Sequence, residues 1–206
     1  MLSLFLDAFV VLFVVIDPVG LAPLFGAITE GATAEARRRM ALRGIVIAAT
    51  LLIAFIFGGT ALLTALGIGM PAFQIAGGVL LFLIAIDMVF ARPHSGIRST
   101  TEREQREAER KDDVSVFPLA FPLIAGPGAL TTVLLMSGRL ADPSGLVVLL
   151  TALFAVLALT LFTLLQTTRL LRLMGETGAN VVTRVFGVIL AALAVQYILD
   201  GLYVAL

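Results

Sequence analysis

Long stretches without charge are the feature that most constrains how this chain folds. Between Arg43 and Asp87 there is no charged residue, and residues 114–138 and 144–168 are also uncharged. A membrane-spanning helix needs about 20 predominantly apolar residues, so the first stretch holds two spans and each of the others holds one. Charged residues make up only 14% of the chain, against about a quarter in soluble domains. We therefore predict an integral membrane protein built from helices, the structure that lipid permits for such runs.

Six apolar segments predict six transmembrane helices. Their expected limits are 2–29, 40–66, 71–90, 114–137, 144–168 and 181–205. The first apolar run has neither a preceding basic stretch nor a small-residue cleavage site, so we expect a retained helix and not a signal peptide. The predicted fold is an all-α integral membrane protein with a single membrane domain, residues 1–206.

Basic residues divide unequally between the connections. All but one of the 14 lysines and arginines follow helices one, three and five, and only Arg139 falls on an opposite connection. Since positive residues mark cytoplasmic loops, we predict cytoplasmic odd-numbered connections and both termini on the outer, periplasmic face. The same count favours six spans, because one missed helix would scatter the basic residues over both faces.

The third connection is the one long polar segment. Residues 91–113 mix both signs of charge and include His94, the only histidine. We interpret them as a solvated cytoplasmic linker, with a regulatory or partner-binding role as the less favoured alternative. The linker separates repeat one, residues 1–90, from repeat two, residues 114–206.

Helices one and four each carry a helix-breaking sequence in mid-span. Both sequences combine proline with glycine, and they are Asp17-Pro18-Val19-Gly20 and Ala125-Gly126-Pro127-Gly128. Proline removes a backbone donor and clashes with the preceding turn, so helical hydrogen bonds are lost there. Irregular backbone at membrane depth is tolerated only inside protein or along a cavity. We predict that helices one and four are broken at mid-membrane, with kinks that serve only packing as the alternative.

The breaks recur at a fixed offset. Pro18 and Pro127 lie 109 positions apart, and the same offset relates Gly78-Val79 to Gly187-Val188. This predicts two three-helix repeats, which are inverted because an odd number of spans makes the second copy enter from the opposite face. Paired broken helices in inverted halves point to the midplane site of a transporter. Half-helix ends suit a zwitterion, since amides face its carboxylate and carbonyls its ammonium.

Asp17 is the acidic residue nearest the middle of a predicted span. A carboxylate there is costly unless it is paired, protonated or turned into the protein. It is a candidate proton carrier and equally a candidate N-cap of the half-helix that follows. The candidate substrate-binding residues are those at the two breaks with two neighbours, namely Asp17, Pro18, Val19, Gly20, Leu21, Ala125, Gly126, Pro127, Gly128 and Thr131.

Two motifs in the chain resemble the MarC family, also described as a six-span neutral amino acid transporter family. They are DPVGLAPLF at 17–25 and PLAFPLIAGPGALTT at 118–132, and the resemblance covers the whole chain. It implies a bacterial or archaeal inner-membrane protein that carries glycine, alanine and similar small neutral amino acids, with a proton or sodium as candidate coupling ion. The family name also carries a link to antibiotic resistance, which leaves efflux of other solutes or drugs open.

A secondary carrier by alternating access is therefore the leading function, with a passive channel as an alternative. The sequence lacks a Gly-x-x-x-x-Gly-Lys phosphate loop, which argues against an ATP-driven pump. It also lacks a recognisable catalytic motif and any cysteine, so we expect neither an enzyme nor a metal site or cofactor. The expected partners are the amino acid substrate, the coupling ion and the lipid bilayer, and not nucleic acid.

Overall fold

All regular structure in the described part of the chain is helical, as predicted. The computed structural model describes residues 1–90, 113–139 and 142–205, apart from the side chains of residues 174 and 176. The predicted linker therefore lies outside the described residues, except for Asp113.

The described ranges contain eight helical elements, of which the fifth is irregular and includes two residues with extended backbone angles. They are α1 (Leu2–Ile16), α2 (Pro18–Ile28), α3 (Ala34–Ala65), α4 (Met70–Phe90), α5 (Ser115–Ile124), α6 (Pro127–Arg139), α7 (Pro143–Leu165) and α8 (Thr167–Ala205).

Among the described residues, five helices are long and apolar enough to cross a membrane, and a sixth span results if α5 and α6 are counted together. The first candidate span, Leu2–Ile28, combines α1 and α2. The α5 and α6 axes are bent by 56° across the residues between them. The structure therefore supports five to six of the predicted spans.

Two helices begin earlier than their apolar runs predict. The helix expected from residue 40 starts at Ala34, because the Thr33 hydroxyl accepts a hydrogen bond from the Ala36 amide at 3.2 Å and caps a charged first turn. The helix expected from residue 181 begins at Thr177, in the second of the two helical parts of α8, which meet at Gly175, where φ is +65° and the backbone is not helical. Apolarity thus locates the lipid-facing part of a helix but not its ends.

The most extensive helix contact joins α4 to α8, which pack antiparallel through glycines. A Cβ atom at Gly78 would lie 2.8 Å from the Ala194 carbonyl oxygen, and one at Gly201 would lie 3.0 Å from the Pro71 carbonyl oxygen. Backbones this close leave no room for a side chain, which is the usual reason for small residues between membrane helices.

Four further helix contacts hold the bundle together. Helix α1 packs on α7 and α5 packs on α3, while α2 packs on α8 and α6 packs on α4. One continuous hydrophobic core runs through the bundle and includes Ile16, Leu21 and Ala125 beside the two predicted breaks.

Candidate functional site

The first predicted break is a change of backbone conformation at a single residue. Helix α1 ends at Ile16 and α2 begins at Pro18, and Asp17 between them is left-handed, with φ +52° and ψ +67°. The Asp17 amide still donates to the Phe13 carbonyl oxygen at 2.9 Å. Non-glycine residues rarely adopt this conformation, and aspartate is one of the few that do so readily.

The Asp17 side chain caps α2. Its Oδ1 accepts a hydrogen bond from the Gly20 amide at 3.0 Å, and the residue is only 2% exposed. The capping interpretation is therefore confirmed, because the carboxylate occupies the position from which an N-cap satisfies an orphan amide. Its role as a proton carrier stays a prediction.

Gly20 lets α8 approach this carboxylate. A Cβ atom at Gly20 would overlap Asp17 Oδ2 and would lie 2.7 Å from Thr183 Oγ1. Thr183 is half-buried on α8, and nothing in the sequence marks it as a neighbour of Asp17. The first break therefore includes a hydroxyl from the other half of the chain.

The second break is longer than the motif that predicts it. Within α5, Phe117 and Phe121 have extended backbone angles, with φ of −132° and −135°. The Ala125 amide donates to the Ala120 carbonyl oxygen at 2.9 Å, and α6 then begins at Pro127. A Cβ atom at Gly126 would collide with the Pro122 carbonyl oxygen.

The two breaks lie side by side in the bundle. A Cβ atom at Gly128, in the first turn of α6, would be 3.6 Å from Val15 Cγ1 at the end of α1. The same position would be 2.9 Å from Leu81 Cδ2 and 3.0 Å from Ile84 Cδ1 on α4. Val15, Leu81 and Ile84 are core residues that sequence analysis did not select, because apolar residues give no signal that separates a cavity wall from ordinary packing.

A small cavity lies at the second break. Its volume is about 10 Å³, and it is lined by Val15, Ile84 and the segments 122–124 and 126–129. That volume corresponds to roughly one water molecule, so the cavity has no room for an amino acid in this conformation.

The structure groups only part of the predicted site. Gly126, Pro127 and Gly128 share the small cavity, whereas Asp17 and Gly20 face Thr183. Of the other candidates, the Thr131 side chain packs on Gly77 of α4, Pro18, Leu21 and Ala125 are buried, and Val19 is half-buried.

Thr132, next to the predicted Thr131, is fully buried, and its hydroxyl oxygen has no hydrogen-bond partner among the described residues. Buried polar atoms without partners are rare in native structures. Thr132 is therefore a candidate ligand contact that the predicted set omits.

Larger cavities lie at the two ends of the bundle. One of about 380 Å³ lies where α2 and α7 end, with Phe25, Thr29, Arg37 and Thr167 in its wall. Another of about 420 Å³ lies between the start of α4 and the ends of α6 and α8. Both fall in the size range of small-molecule sites.

An ion pair joins α3 to the start of the second half. Arg43 Nη1 lies 2.5 Å from Asp113 Oδ2, and the Ser115 amide donates to Asp113 Oδ1 at 2.9 Å. The hydrogen bonds from Ser115, followed by the charge of Arg43, hold the pKa of Asp113 below its ordinary value. In the described residues no cluster of three His, Cys, Asp or Glu side chains suited to a metal ion occurs.

Comparison with known proteins identifies the family. A family model described as "MarC family integral membrane protein" matches residues 2–206. A "UPF0056 membrane protein" of Aquifex aeolicus is 37% identical over 97% of this chain and 92% of its own length. The "UPF0056 inner membrane protein YhgN" of Escherichia coli is 34% identical over 96% of this chain and 95% of its own length. No solved structure matches the chain. The chain therefore belongs to the MarC family of integral membrane proteins.

Proposed function

We propose that this protein is a secondary transporter that moves small neutral amino acids such as glycine and alanine across the bacterial inner membrane. One observation carries the proposal: two helix interruptions, at Asp17 and before Pro127, lie against each other in the core. Helix breaks leave backbone groups that can bind a ligand, and paired breaks in inverted halves are characteristic of carriers.

Contacts related by one offset support the inverted repeat. A Cβ atom at Gly78 would be 2.7 Å from Ile198 Cγ1, and one at Gly187 would be 2.9 Å from Val89 Cγ2. Adding 109 to 78 and 89 gives 187 and 198, so each contact maps onto the other when the halves are exchanged. The helix pairs follow the same rule, because α1 on α7 corresponds to α5 on α3.

The cavities fit alternating access. The cavity at the second break has room for about one water, whereas those at either end of the bundle are about 380 and 420 Å³. A carrier needs a closed state in which the central site communicates with neither face. We assign this structure to such a state, which opens when the halves move relative to each other.

The polarity of the site favours a small zwitterion coupled to a proton. Gly126 and Gly128 line a cavity of only about 10 Å³, which favours a small substrate, and the amide end of a half-helix favours a carboxylate. Asp17 is buried and ionisable, which suits a proton carrier. We place the termini on the periplasmic face from the distribution of basic residues, and the description of the Escherichia coli relative supports the inner membrane.

Transport by purified protein in liposomes tests the proposal. We expect labelled glycine and alanine to enter with saturable kinetics, faster under an imposed proton gradient, and to show counterflow when unlabelled substrate is inside. Flux that neither saturates nor shows counterflow would identify a channel. Absence of flux for every neutral amino acid, under both proton and sodium gradients, would refute the proposal, and extending the assay to drugs tests the efflux alternative.

A further inference from the structure

The cavity at the end of the bundle opposite the arginine-rich connections has a composition suited to a small ligand. It is about 420 Å³ in volume and is lined by Met70, Pro71, Gln74, Arg139, Asp200, Tyr203 and Val204. Small-molecule sites commonly combine apolar walls with a few convergent polar groups. Here the charged groups are one cation and one anion.

Arg139 and Asp200 are in direct contact in the wall of this cavity. Arg139 Nη2 donates to Asp200 Oδ2 at 2.6 Å, and Gln196 Nε2 donates to Asp200 Oδ1 at 2.6 Å. The guanidinium group also lies 5.4 Å from the centre of the Tyr197 ring, within the range of a cation–π contact. Both charges are thus held in defined positions beside Gln74, which is 8% exposed.

Stability gives little reason for this pair. The two side chains are 52% and 33% exposed, and ion pairs with that exposure contribute little to folding. Arg139 is also the one basic residue outside the odd-numbered connections. The two charges instead match those of an amino acid, because a guanidinium group binds a carboxylate and a carboxylate binds an ammonium group.

A zwitterion can replace each partner of the pair without leaving a charge unpaired. Its carboxylate takes the place of Asp200 on the guanidinium group, and its ammonium group takes the place of Arg139 on the carboxylate. The charge-assisted hydrogen bonds lost and gained are of the same kind.

We propose that Arg139 and Asp200 form an outer recognition site for the substrate zwitterion, in which Arg139 binds the carboxylate and Asp200 the ammonium group. This inference rests on the proposed amino acid transport. Parting the pair also removes the ion pair that joins the end of α6 to α8. Since α6 runs the 13 residues from Arg139 back to Pro127, about 20 Å of rigid helix, the recognition site is connected to the second break.

Half-ligands separate this role from a structural one. Propionate carries only the carboxylate of alanine, and ethylamine carries only its amine. In protein reconstituted in nanodiscs, we expect each to compete with labelled alanine and to raise the thermal midpoint of the wild type, but at higher concentration than alanine, because each half-ligand leaves one partner of the pair without its counter-charge. Arg139→Gln should weaken the binding of propionate at least tenfold but not that of ethylamine, which no longer competes with Arg139 for Asp200. Asp200→Asn should weaken the binding of ethylamine but not that of propionate. Both variants should raise the alanine KM in liposomes about tenfold.

Arg39→Gln is the matched control, because Arg39 pairs with Glu35 at 3.5 Å in another exposed Arg–carboxylate contact. This variant should change the binding of neither propionate nor ethylamine. If the Arg139 and Asp200 variants bind both half-ligands equally weakly, or bind both as the wild type does, the pair is structural and the inference is wrong. Failure of the wild type to transport amino acids refutes the proposed function separately, since the nanodisc measurement still decides what this cavity binds.

Discussion

The interruption at Asp17 is confined to one residue, whereas the interruption before α6 extends back from Gly126 to Phe117. In the first, a buried carboxylate caps the helix that follows. In the second, residues 114–138 carry no charge at all, and the Pro122 carbonyl oxygen crowds Gly126. The interruption at Asp17 therefore depends on side-chain chemistry, and the interruption before α6 depends on backbone crowding.

This difference assigns the two interruptions different tasks under the proposed transport function. A coupling proton needs a group that ionises, and Asp17 is the residue in the two motifs that supplies one. A substrate needs walls that set its size, and Gly126 and Gly128 line the small cavity. Ion coupling then depends on the first interruption and substrate size on the second. Substitutions that affect one interruption and not the other test this division of tasks.

The largest effect is expected for Gly126→Ala. The new methyl group meets a backbone oxygen, Pro122 O, which cannot rotate away as a side chain does. Overpacking of this kind costs on the order of 1–3 kcal/mol, and the movement that relieves it displaces the wall of the cavity. We expect alanine uptake in liposomes to be lost and the thermal midpoint in detergent to fall.

Gly58→Ala provides the control for that substitution. A Cβ atom at Gly58 would have no atom within 4 Å beyond its own helix and chain neighbours, so alanine should stabilise α3 by about 0.5–1 kcal/mol. Uptake should remain at the wild-type rate. Normal transport by the Gly126 variant would show that the second interruption is not part of the substrate site.

Asp17→Asn should have the next largest effect and should act on coupling alone. Asparagine tolerates the left-handed conformation and caps a helix as well as aspartate does, so the fold should persist. We expect proton-driven uptake to fall about tenfold or more, while exchange of labelled for unlabelled alanine is spared.

Asp17→Ala distinguishes coupling from capping. It removes the cap, at a cost of about 1 kcal/mol, and adds the strain of a left-handed alanine, about 1–2 kcal/mol. Both driven uptake and exchange should decline. If the asparagine variant also loses both activities equally, Asp17 has a binding or structural role and the division between the interruptions is wrong.

Gly20→Ala should have a smaller effect than Gly126→Ala, although both introduce the same methyl group. The atoms it meets belong to the side chains of Asp17 and Thr183, and side chains can turn aside. We expect a loss of stability near that of losing the cap, about 1 kcal/mol, with a partial decrease in driven uptake. A decrease as large as that of the Gly126 variant would show that the first interruption is also limited by packing.

Sequence patterns predict where the helices are interrupted more reliably than which residues surround the interruptions. Proline restricts the residue before it to non-helical conformations, and Asp17, Phe117 and Phe121 all obey that rule. Ala22, which precedes Pro23 inside α2, does not, so the rule marks candidates and packing selects among them.

Contacts between distant segments leave no local pattern. Thr183 meets Gly20, and Arg139 meets Asp200, only because α8 folds back along the bundle. Two arginines of α8 lie in its first turns, before the non-helical Gly175, and a hydropathy pattern assigns those turns to a loop although they are helical. A charge count identifies Arg139 as exceptional, but only the fold supplies its partner.

The smallest effect is expected for Thr132→Val, in the second interruption's own helix. The Thr132 hydroxyl is buried without a partner in the described residues, and replacing such a group by an apolar one of similar shape is neutral or stabilising, by up to about 1 kcal/mol. Thr160→Val is the matched control, since the buried Thr160 hydroxyl donates to the Val156 carbonyl oxygen at 2.8 Å and its loss should destabilise. If the Thr132 hydroxyl binds substrate in the open state, the variant gains stability while its alanine KM rises about tenfold, the equivalent of one hydrogen bond of about 1.4 kcal/mol. A gain in stability with an unchanged KM would confine substrate binding at this interruption to the backbone and glycines.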